Sequence, residues 1–139
     1  MSYCNILLDA LREKGYRITP QREMIVQAIA RSGCHMTAEE VLAEVRQHTR
    51  TVNLATIYRN LDLLVSEGLA TRIDIGKNRV VYATLEHGPH IHLVCRNCGK
   101  ITDADPQLLA PIAEQLQREH AFSADLNHIS IYGLCEQCQ

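Results

Sequence analysis

The 139-residue sequence predicts an α+β protein in two parts, on three observations. Three segments within residues 19–64 carry apolar side chains at helical spacing, and each begins with a capping residue. Two strand-like segments joined by a turn follow, over residues 69–84. Residues 85–139 hold four cysteines in two identical pairs, with strand-like segments and one helical segment between them. We therefore predict one domain over residues 1–84 and a smaller α/β domain over residues 85–139.

The helices of the first domain are predicted from their capping residues. Thr19 is a suitable N-cap and Pro20 is favoured at the first helical position, so a helix begins there. Thr37 and Glu40 have the spacing of a capping box, which begins a second helix. Asn53 caps a third helix. The apolar stripe of that third helix consists of Leu54, Ile57, Leu61 and Leu64.

The strands of the first domain form a hairpin and complete a known architecture. Residues 69–75 and 79–84 read as strands, and the glycine-containing turn at residues 76–78 joins them. Three helices followed by a hairpin are the winged-helix variant of the helix-turn-helix, which binds double-stranded DNA. The third helix is then the recognition helix, because small and polar side chains lie away from its apolar stripe. The predicted DNA contacts are Ala55, Thr56, Tyr58 and Arg59 on this helix and Lys77 in the turn.

Composition and charge exclude other classes of protein. A formal net charge of −2 excludes a globally basic nucleic-acid binder. The charge is uneven, since residues 1–84 hold eleven basic against nine acidic residues, whereas residues 85–139 hold three against seven. The first residues lack the pattern of a secretory signal, and no apolar run is long enough to span a bilayer. We therefore expect a cytoplasmic protein with no membrane partner.

The second domain contains two C-x-x-C motifs, at Cys95 and Cys98 and at Cys135 and Cys138. Two residues between thiols let both sulfurs face one ion, and four thiolates are the preferred structural environment of Zn(II). Because the pairs are far apart in the chain, the ion would join distant elements. A pair of redox-active disulfides is the alternative interpretation.

The elements predicted around these cysteines are three strands and one helix. The strands are residues 91–95, 100–103 and 127–133, and the helix lies within residues 106–120. Pro111 either kinks this helix or marks its true start.

A second group of candidate ligands precedes the first cysteine pair. His90 and His92 project to one side of a strand, and Asp103 on the next strand can add an oxygen ligand. Imidazole and carboxylate suit Zn(II), Fe(II), Mn(II), Ni(II) or Co(II) and do not select among them. His35, Glu86 and His87 are further candidates.

Taken together, the motifs resemble those of the ferric uptake regulator superfamily of bacterial metalloregulators. The resemblance runs in order over almost the whole chain. The segments that carry it are residues 17–22 (RITPQR), 35–40 (HMTAEE), 54–61 (LATIYRNL), 90–100 (HIHLVCRNCGK) and 132–138 (YGLCEQC).

The resemblance implies a homodimer with a winged-helix domain and a C-terminal dimerisation domain. It implies a structural Zn(II) on the four paired cysteines and a regulatory metal, Fe(II), Zn(II) or Mn(II), on His35, His90, His92 and Asp103. Many members have an acidic ligand on the second wing strand, which here reads VVYA at residues 80–83. This ligand is therefore either missing or supplied by Glu86 or His87, and Glu86 is the possible fifth ligand. Asp103 occupies the position at which the iron sensors of the family often have glutamate. In having an aspartate there, the sequence resembles the peroxide sensors of the family.

The sequence therefore predicts a metal-responsive transcriptional repressor that is not an enzyme. Metal binding would close the dimer and so set the separation of its recognition helices for operator DNA. Iron or zinc homeostasis is the expected role, and peroxide sensing is the alternative within the family. The alternatives from other classes are a thiol-redox enzyme, a metal-dependent enzyme such as a hydrolase, and a zinc-binding adaptor. The sequence contains no H-E-x-x-H motif, which disfavours the hydrolase.

Overall fold

A computed structural model describes residues 2–31, 35–85, 90–126 and 129–139. The chain divides into two compact units, Met1–Asp74 with Asn78–Glu86, and Ile75–Lys77 with His87–Gln139. The elements in chain order are α1 (Tyr3–Glu13), α2 (Pro20–Arg31), α3 (Ala38–Val45), α4 (Leu54–Ser66), β1 (Ala70–Gly76), β2 (Arg79–Thr84), β3 (Ile91–Cys95), β4 (Ile101–Ala104), a 3-10 helix (Pro106–Leu109), α5 (Ala110–His120) and β5 (Ser130–Gly133). The α+β fold class is confirmed.

The first unit begins with a helix that the sequence analysis missed. The sequence patterns predict three helices before the hairpin, whereas the described residues form four, because α1 precedes the predicted three. Ser2 caps α1, since its Oγ accepts a hydrogen bond from the amide of Asn5 at 3.3 Å. Leu7, Leu8 and Leu11 of α1 are buried in the core. Both signals, a serine N-cap and apolar residues at helical spacing, are present in the sequence.

The three predicted helices begin at their predicted caps. The amide of Arg22 donates to Thr19 Oγ1 at 3.1 Å, and the amide of Thr56 donates to Asn53 Oδ1 at 2.9 Å. Thr37 and Glu40 form the complete capping box of α3. These caps orient amphipathic helices whose apolar faces meet in one core. Its largest fully buried members include Ile25, Ile29, Ile57, Leu61, Leu64 and Tyr82.

The hairpin β1–β2 turns through three residues with positive φ, namely 87° at Gly76, 54° at Lys77 and 59° at Asn78. A left-handed backbone favours glycine and asparagine, which explains why the chain reverses here. Strand β2 is also fixed from the other side, because Tyr82 pairs antiparallel with Met36 through two backbone hydrogen bonds.

The second unit is a three-stranded sheet in the order β4-β3-β5. Strand β3 pairs antiparallel with β4, so that His92 lies opposite Asp103, and parallel with β5. Between β4 and β5 lie the 3-10 helix and α5, and Pro111 occupies the first turn of α5. Pro111 therefore marks the start of this helix, one of its two predicted roles. Over the described ranges of the chain, every helix is too short or too polar to cross a lipid bilayer.

Candidate metal and nucleic-acid sites

The four paired cysteines meet at one end of the second unit. Cys95 is the last residue of β3 and Cys135 follows β5, and these two strands are parallel neighbours. Parallel strands place their carboxyl ends at one edge, so the two C-x-x-C turns that follow them lie together. The ligand atoms of Cys95, Cys98, Cys135 and Cys138 all lie within 4.8 Å of one another.

The spacing of these sulfurs fits a tetrahedral metal ion. Cys98 Sγ and Cys135 Sγ are 3.8 Å apart. A tetrahedron with Zn–S distances of about 2.3 Å places its sulfurs about 3.8 Å apart, whereas a disulfide bond is about 2.05 Å long. The cluster could therefore hold Zn(II) with little rearrangement.

The surroundings of two of the cysteines shift their pKa values in opposite directions. The backbone amides of Cys98 and Cys135 stabilise the thiolate of Cys95 and lower its pKa to about 6. The Asn97 side chain lowers the pKa of Cys138, but hydrogen bonding with Cys135 and desolvation outweigh it and raise that pKa to about 11. The Cys95 thiol is therefore more acidic than the Cys138 thiol, and both would bind a metal ion as thiolates. Asn97 is a site residue that the sequence analysis did not single out.

His90, His92 and Asp103 form a second cluster in the same unit. Asp103 Oδ1 lies 3.1 Å from His92 Nδ1 and 3.7 Å from His90 Nε2. The two imidazole rings meet edge to face with centroids 4.4 Å apart. The His92 side chain is 2% exposed and that of Asp103 is 56% exposed, so a buried ring faces a carboxylate open to solvent. As predicted, His90 and His92 lie two residues apart and project to the same side, and Asp103 lies opposite His92 on the next strand.

The other predicted ligands belong to the first unit or lie outside the described residues. His35 belongs to the first unit, where it immediately precedes Met36 and its pairing with Tyr82. Glu86, named as the possible fifth ligand, and His87 lie outside the described residues, as does Cys34.

The predicted DNA contacts lie on one side of α4 and in the hairpin turn. Ala55, Tyr58 and Arg59 are exposed, whereas Thr56 is half-buried and bonded to the cap, since its hydroxyl donates to Asn53 Oδ1 at 3.0 Å. Arg59 in turn donates to Thr56 Oγ1 at 3.2 Å. Desolvation and the neighbouring carboxylate of Glu39 raise the pKa of Tyr58, so its hydroxyl stays protonated and able to donate. Lys77 is exposed in the turn.

A buried polar contact that the sequence analysis missed fixes α4 against α2. Asn60 is 9% exposed, and its Oδ1 accepts a hydrogen bond from Arg22 Nε at 2.8 Å. The side-chain nitrogen Nδ2 of Asn60 donates to the backbone carbonyl of Thr56 at 2.9 Å, and Arg22 Nη1 donates to the backbone carbonyl of Arg17 at 2.7 Å. An asparagine on the buried side of a helix was the signal in the sequence, since such a group needs a partner.

A winged-helix unit whose fourth helix exposes Tyr58 and Arg59, together with a unit that could hold metal ions, is typical of metal-responsive DNA-binding regulators. The model of the ferric uptake regulator family matches residues 13–132. The peroxide-responsive repressor PerR of Staphylococcus saprophyticus is 32% identical over 132 residues, covering 95% of this chain and 88% of its own. The ferric uptake regulation protein of Campylobacter jejuni is 31% identical over 130 residues, covering 92% and 83%.

The fold comparison agrees with the sequence comparisons. The ferric uptake regulator of Helicobacter pylori, whose structure is described as having three functional metal-binding sites, superposes with a TM-score of 0.79. It is 25% identical, and the match covers 97% of this chain and 93% of that one. This chain belongs to the ferric uptake regulator family.

Proposed function

We propose that this protein is a metal-dependent transcriptional repressor that binds operator DNA as a homodimer. The observation that carries the proposal is the His90–His92–Asp103 cluster, whose nitrogen and oxygen donors differ from the four thiols nearby. Two donor sets of different chemistry support two roles, one structural and one regulatory. The family is one of non-enzymatic transcription factors, and we infer the same for this chain, acting in the cytoplasm.

The four-cysteine cluster serves as the structural site in this proposal, loaded with Zn(II). When bound, Zn(II) supplies crosslinking between the turn after β3 and the turn after β5. Thiolate ligands bind zinc tightly and release it slowly, so this site does not respond to ordinary changes in metal supply.

The regulatory ion takes ligands from His90, His92 and Asp103, with His35 as a fourth ligand and Glu86 as a possible fifth. His35 belongs to the first unit and the other three to the second, so an ion that binds all four favours one arrangement of the units. A shift from mostly open to mostly closed molecules needs about 5 kcal/mol of differential affinity, which several ligands to one ion can supply. Fe(II), Zn(II) and Mn(II) all suit this donor set.

The DNA contacts in this proposal are Ala55, Thr56, Tyr58 and Arg59 of α4 together with Lys77. The exposed guanidinium of Arg59 can donate to a guanine edge or a phosphate, and the Tyr58 hydroxyl can donate to a phosphate. Arg72 and Arg79 on the hairpin strands add positive charge beside them.

Homodimerisation is supported by apolar surface in the second unit. Leu93 and Ile131 lie opposite each other on neighbouring strands and are 39% and 41% exposed. Leu134 follows them, and Ile112 projects exposed from α5, which has no buried residue in the part of the chain described here. Apolar surface on a sheet and an amphipathic helix marks an interaction site, and a second copy covers both in our proposal.

The test is operator binding by protein stripped of regulatory metal but retaining its zinc. The DNA is a duplex selected from a random-sequence pool by the metal-loaded protein, and Fe(II) under anaerobic conditions, Mn(II) and Zn(II) are titrated separately. At least one ion should raise the affinity of wild type, because it stabilises the DNA-binding arrangement. His90→Ala should lose that response and keep one zinc per chain.

A second variant tests the proposed DNA contacts of α4 in the same experiment. Arg59→Ala should bind the duplex roughly tenfold more weakly or worse while its metal affinity persists, since a base or phosphate contact is lost. Arg12→Ala is the matched control, because Arg12 is an exposed arginine paired with Asp9 on α1. Equal DNA affinities for Arg59→Ala and Arg12→Ala would contradict the role of α4, and no response of wild type to any ion would contradict the metal dependence.

Peroxide sensing is a second candidate function, favoured by Asp103 and by the similarity to a peroxide-responsive repressor. In that case the Fe(II)-loaded protein should lose DNA affinity after brief exposure to hydrogen peroxide, and the Mn(II)-loaded protein should retain it. Equal retention by both forms would leave metal sensing as the function.

A further inference from the structure

We propose that Tyr82 is a positioning residue for operator binding, which ties the recognition helix α4 to the segment that carries His35. The inference rests on the proposed function, because it assigns a consequence to metal binding at His35. It concerns the first unit alone and uses contacts that lie within it.

The backbone of Tyr82 is joined to the residue that follows His35. The Tyr82 amide donates to the Met36 carbonyl at 2.7 Å, and the Met36 amide donates to the Tyr82 carbonyl at 2.9 Å. Two residues that exchange both hydrogen bonds form the closely spaced pair of an antiparallel ladder. A displacement of Met36 therefore displaces Tyr82 with it.

The side chain of Tyr82 extends this connection to the recognition helix. Tyr82 is 1% exposed and belongs to the core, and its hydroxyl donates to Asp62 Oδ1 on α4 at 2.9 Å. Burial and the bond to Asp62 raise the pKa of Tyr82 despite the opposing effect of Arg72 on β1, so the hydroxyl remains a donor. A closely packed ring transmits displacement rather than absorbing it.

Asp62 lies close to the residues proposed to contact DNA. It follows Tyr58 by four residues and Arg59 by three on α4, so the three side chains lie on one side of the helix. The carboxylate of Asp62 raises the pKa of Tyr58, in keeping with this proximity. The hydrogen bond from Tyr82 thus holds α4 one turn away from the proposed DNA contacts.

These contacts form a continuous path from His35 through Met36, Tyr82 and Asp62 to α4. Coupling between two sites travels through such packed and hydrogen-bonded chains, and double-mutant cycles test whether a given path carries it. On this path, fixing His35 by a metal ion favours the orientation of α4 that fits the major groove. Removing the Tyr82 hydroxyl should therefore weaken the link between metal and DNA binding.

The experiment measures DNA affinity with and without Fe(II) under anaerobic conditions, and with Mn(II) in parallel. The proteins compared are wild type, Tyr82→Phe, Asp62→Ala, which removes the hydrogen-bond acceptor, and the double variant that carries both changes. The probe is a duplex selected from a random-sequence pool by metal-loaded wild type. The ratio of the affinities with and without metal should fall by about fivefold or more in Tyr82→Phe, within the usual range of coupling. The double variant should show the same ratio as Tyr82→Phe, because both changes break one bond.

Tyr16→Phe is the matched control, since it also removes a tyrosine hydroxyl that donates to a carboxylate, that of Glu67 just after α4, at 2.6 Å. Its ratio should stay within about twofold of wild type, because Tyr16 has no place on the path. If Tyr82→Phe lowers both affinities equally, or the double variant is additive, Tyr82 has only a structural role and the inference is wrong. If Tyr82→Phe does not fold, Asp62→Ala alone decides by the same ratio.

Failure of the proposed function has a different result. Wild type would then show no metal-dependent affinity for any duplex, and the inference would fall with it. A metal response that is intact in wild type and unchanged in Tyr82→Phe would overturn the inference alone.

Discussion

Glu67 follows the last residue of α4, and its carboxylate holds together two separate parts of the chain. Glu67 Oε1 accepts a hydrogen bond from the Tyr16 hydroxyl at 2.6 Å, and Glu67 Oε2 lies 3.0 Å from Lys14 Nζ. The Tyr16 and Lys14 contacts stabilise the charged form and lower the pKa of Glu67. The bond therefore contributes stability only while the carboxylate is ionised.

The stability of Tyr16→Phe should consequently depend on pH. The pKa of Glu67 is lower in the folded than in the unfolded protein, so its contribution is present above the unfolded pKa and is lost as the pH falls through the folded value. We expect the melting temperature of Tyr16→Phe to lie below that of wild type at pH 7 and to approach it below about pH 4. Thermal unfolding followed by circular dichroism measures this, and a pH-independent difference would contradict the role of Glu67.

At the scale of elements, α4 depends on contacts at both ends and along its buried side. Asn53 caps its first turn, Asn60 fixes it to α2 through Arg22, and Asp62 fixes it to β2 through Tyr82. The cap was predictable because it joins residues three apart, and a capping residue leaves a local pattern in the sequence. The other two bonds join residues 38 and 20 positions apart, which no local pattern encodes.

Asn53→Ala should destabilise the first unit by about 1 kcal/mol, because the amide of Thr56 loses its side-chain acceptor. The hydroxyl of Thr56 loses the same partner, so DNA affinity should fall as well. Chemical denaturation followed by circular dichroism gives the free energy of unfolding.

Asn5→Ala is the matched control for Asn53→Ala, since Asn5 is an exposed asparagine inside α1 rather than at its cap. It should leave both stability and DNA affinity nearly unchanged, because surface substitutions usually change stability by less than about 0.5 kcal/mol. Equal losses in the two variants would show that the cap of α4 contributes nothing specific.

At the scale of the whole molecule, the two units differ in how they are stabilised. The first has a core to which all four helices contribute. In the second, the described residues from 90 onward that are buried are Ile91, His92, Val94 and Cys95. With so few buried side chains, the second unit removes little apolar surface from water. A small unit of this kind commonly needs a metal ion or a partner chain to be stable.

Removing the structural metal should therefore unfold the second unit before the first. We expect Cys98→Ser to lose bound zinc and the amide protection of β3, because metal binding and folding are coupled in such sites. The helices of the first unit should keep their protection, because the residues of their core belong to that unit. Zinc content and hydrogen exchange measured by mass spectrometry provide the two readouts.

Cys4→Ser is the matched control for the zinc experiment. Cys4 lies on α1 and is not a member of the four-cysteine cluster, so this variant should keep its zinc and its protected β3. If Cys98→Ser keeps the protection of β3, the cluster does not support the fold and the structural assignment is wrong.

The sequence by itself determined the features that depend on residues close together in the chain. The caps at Thr19, Thr37 and Asn53, the turn at residues 76–78 and the two C-x-x-C pairs all follow from local spacing. The same local signals were present for α1 at Ser2 and were overlooked, so that helix too lay within reach of the sequence.

Only the tertiary structure decided which distant residues meet. It placed β5 beside β3 in parallel, which brings Cys135 to Cys95, and it set the Tyr82 hydroxyl on Asp62 and Arg22 on Asn60. The physical reason is that a cap or a turn is selected by the backbone groups next to it. A contact between distant residues is selected instead by how whole apolar faces pack, and that depends on every element at once.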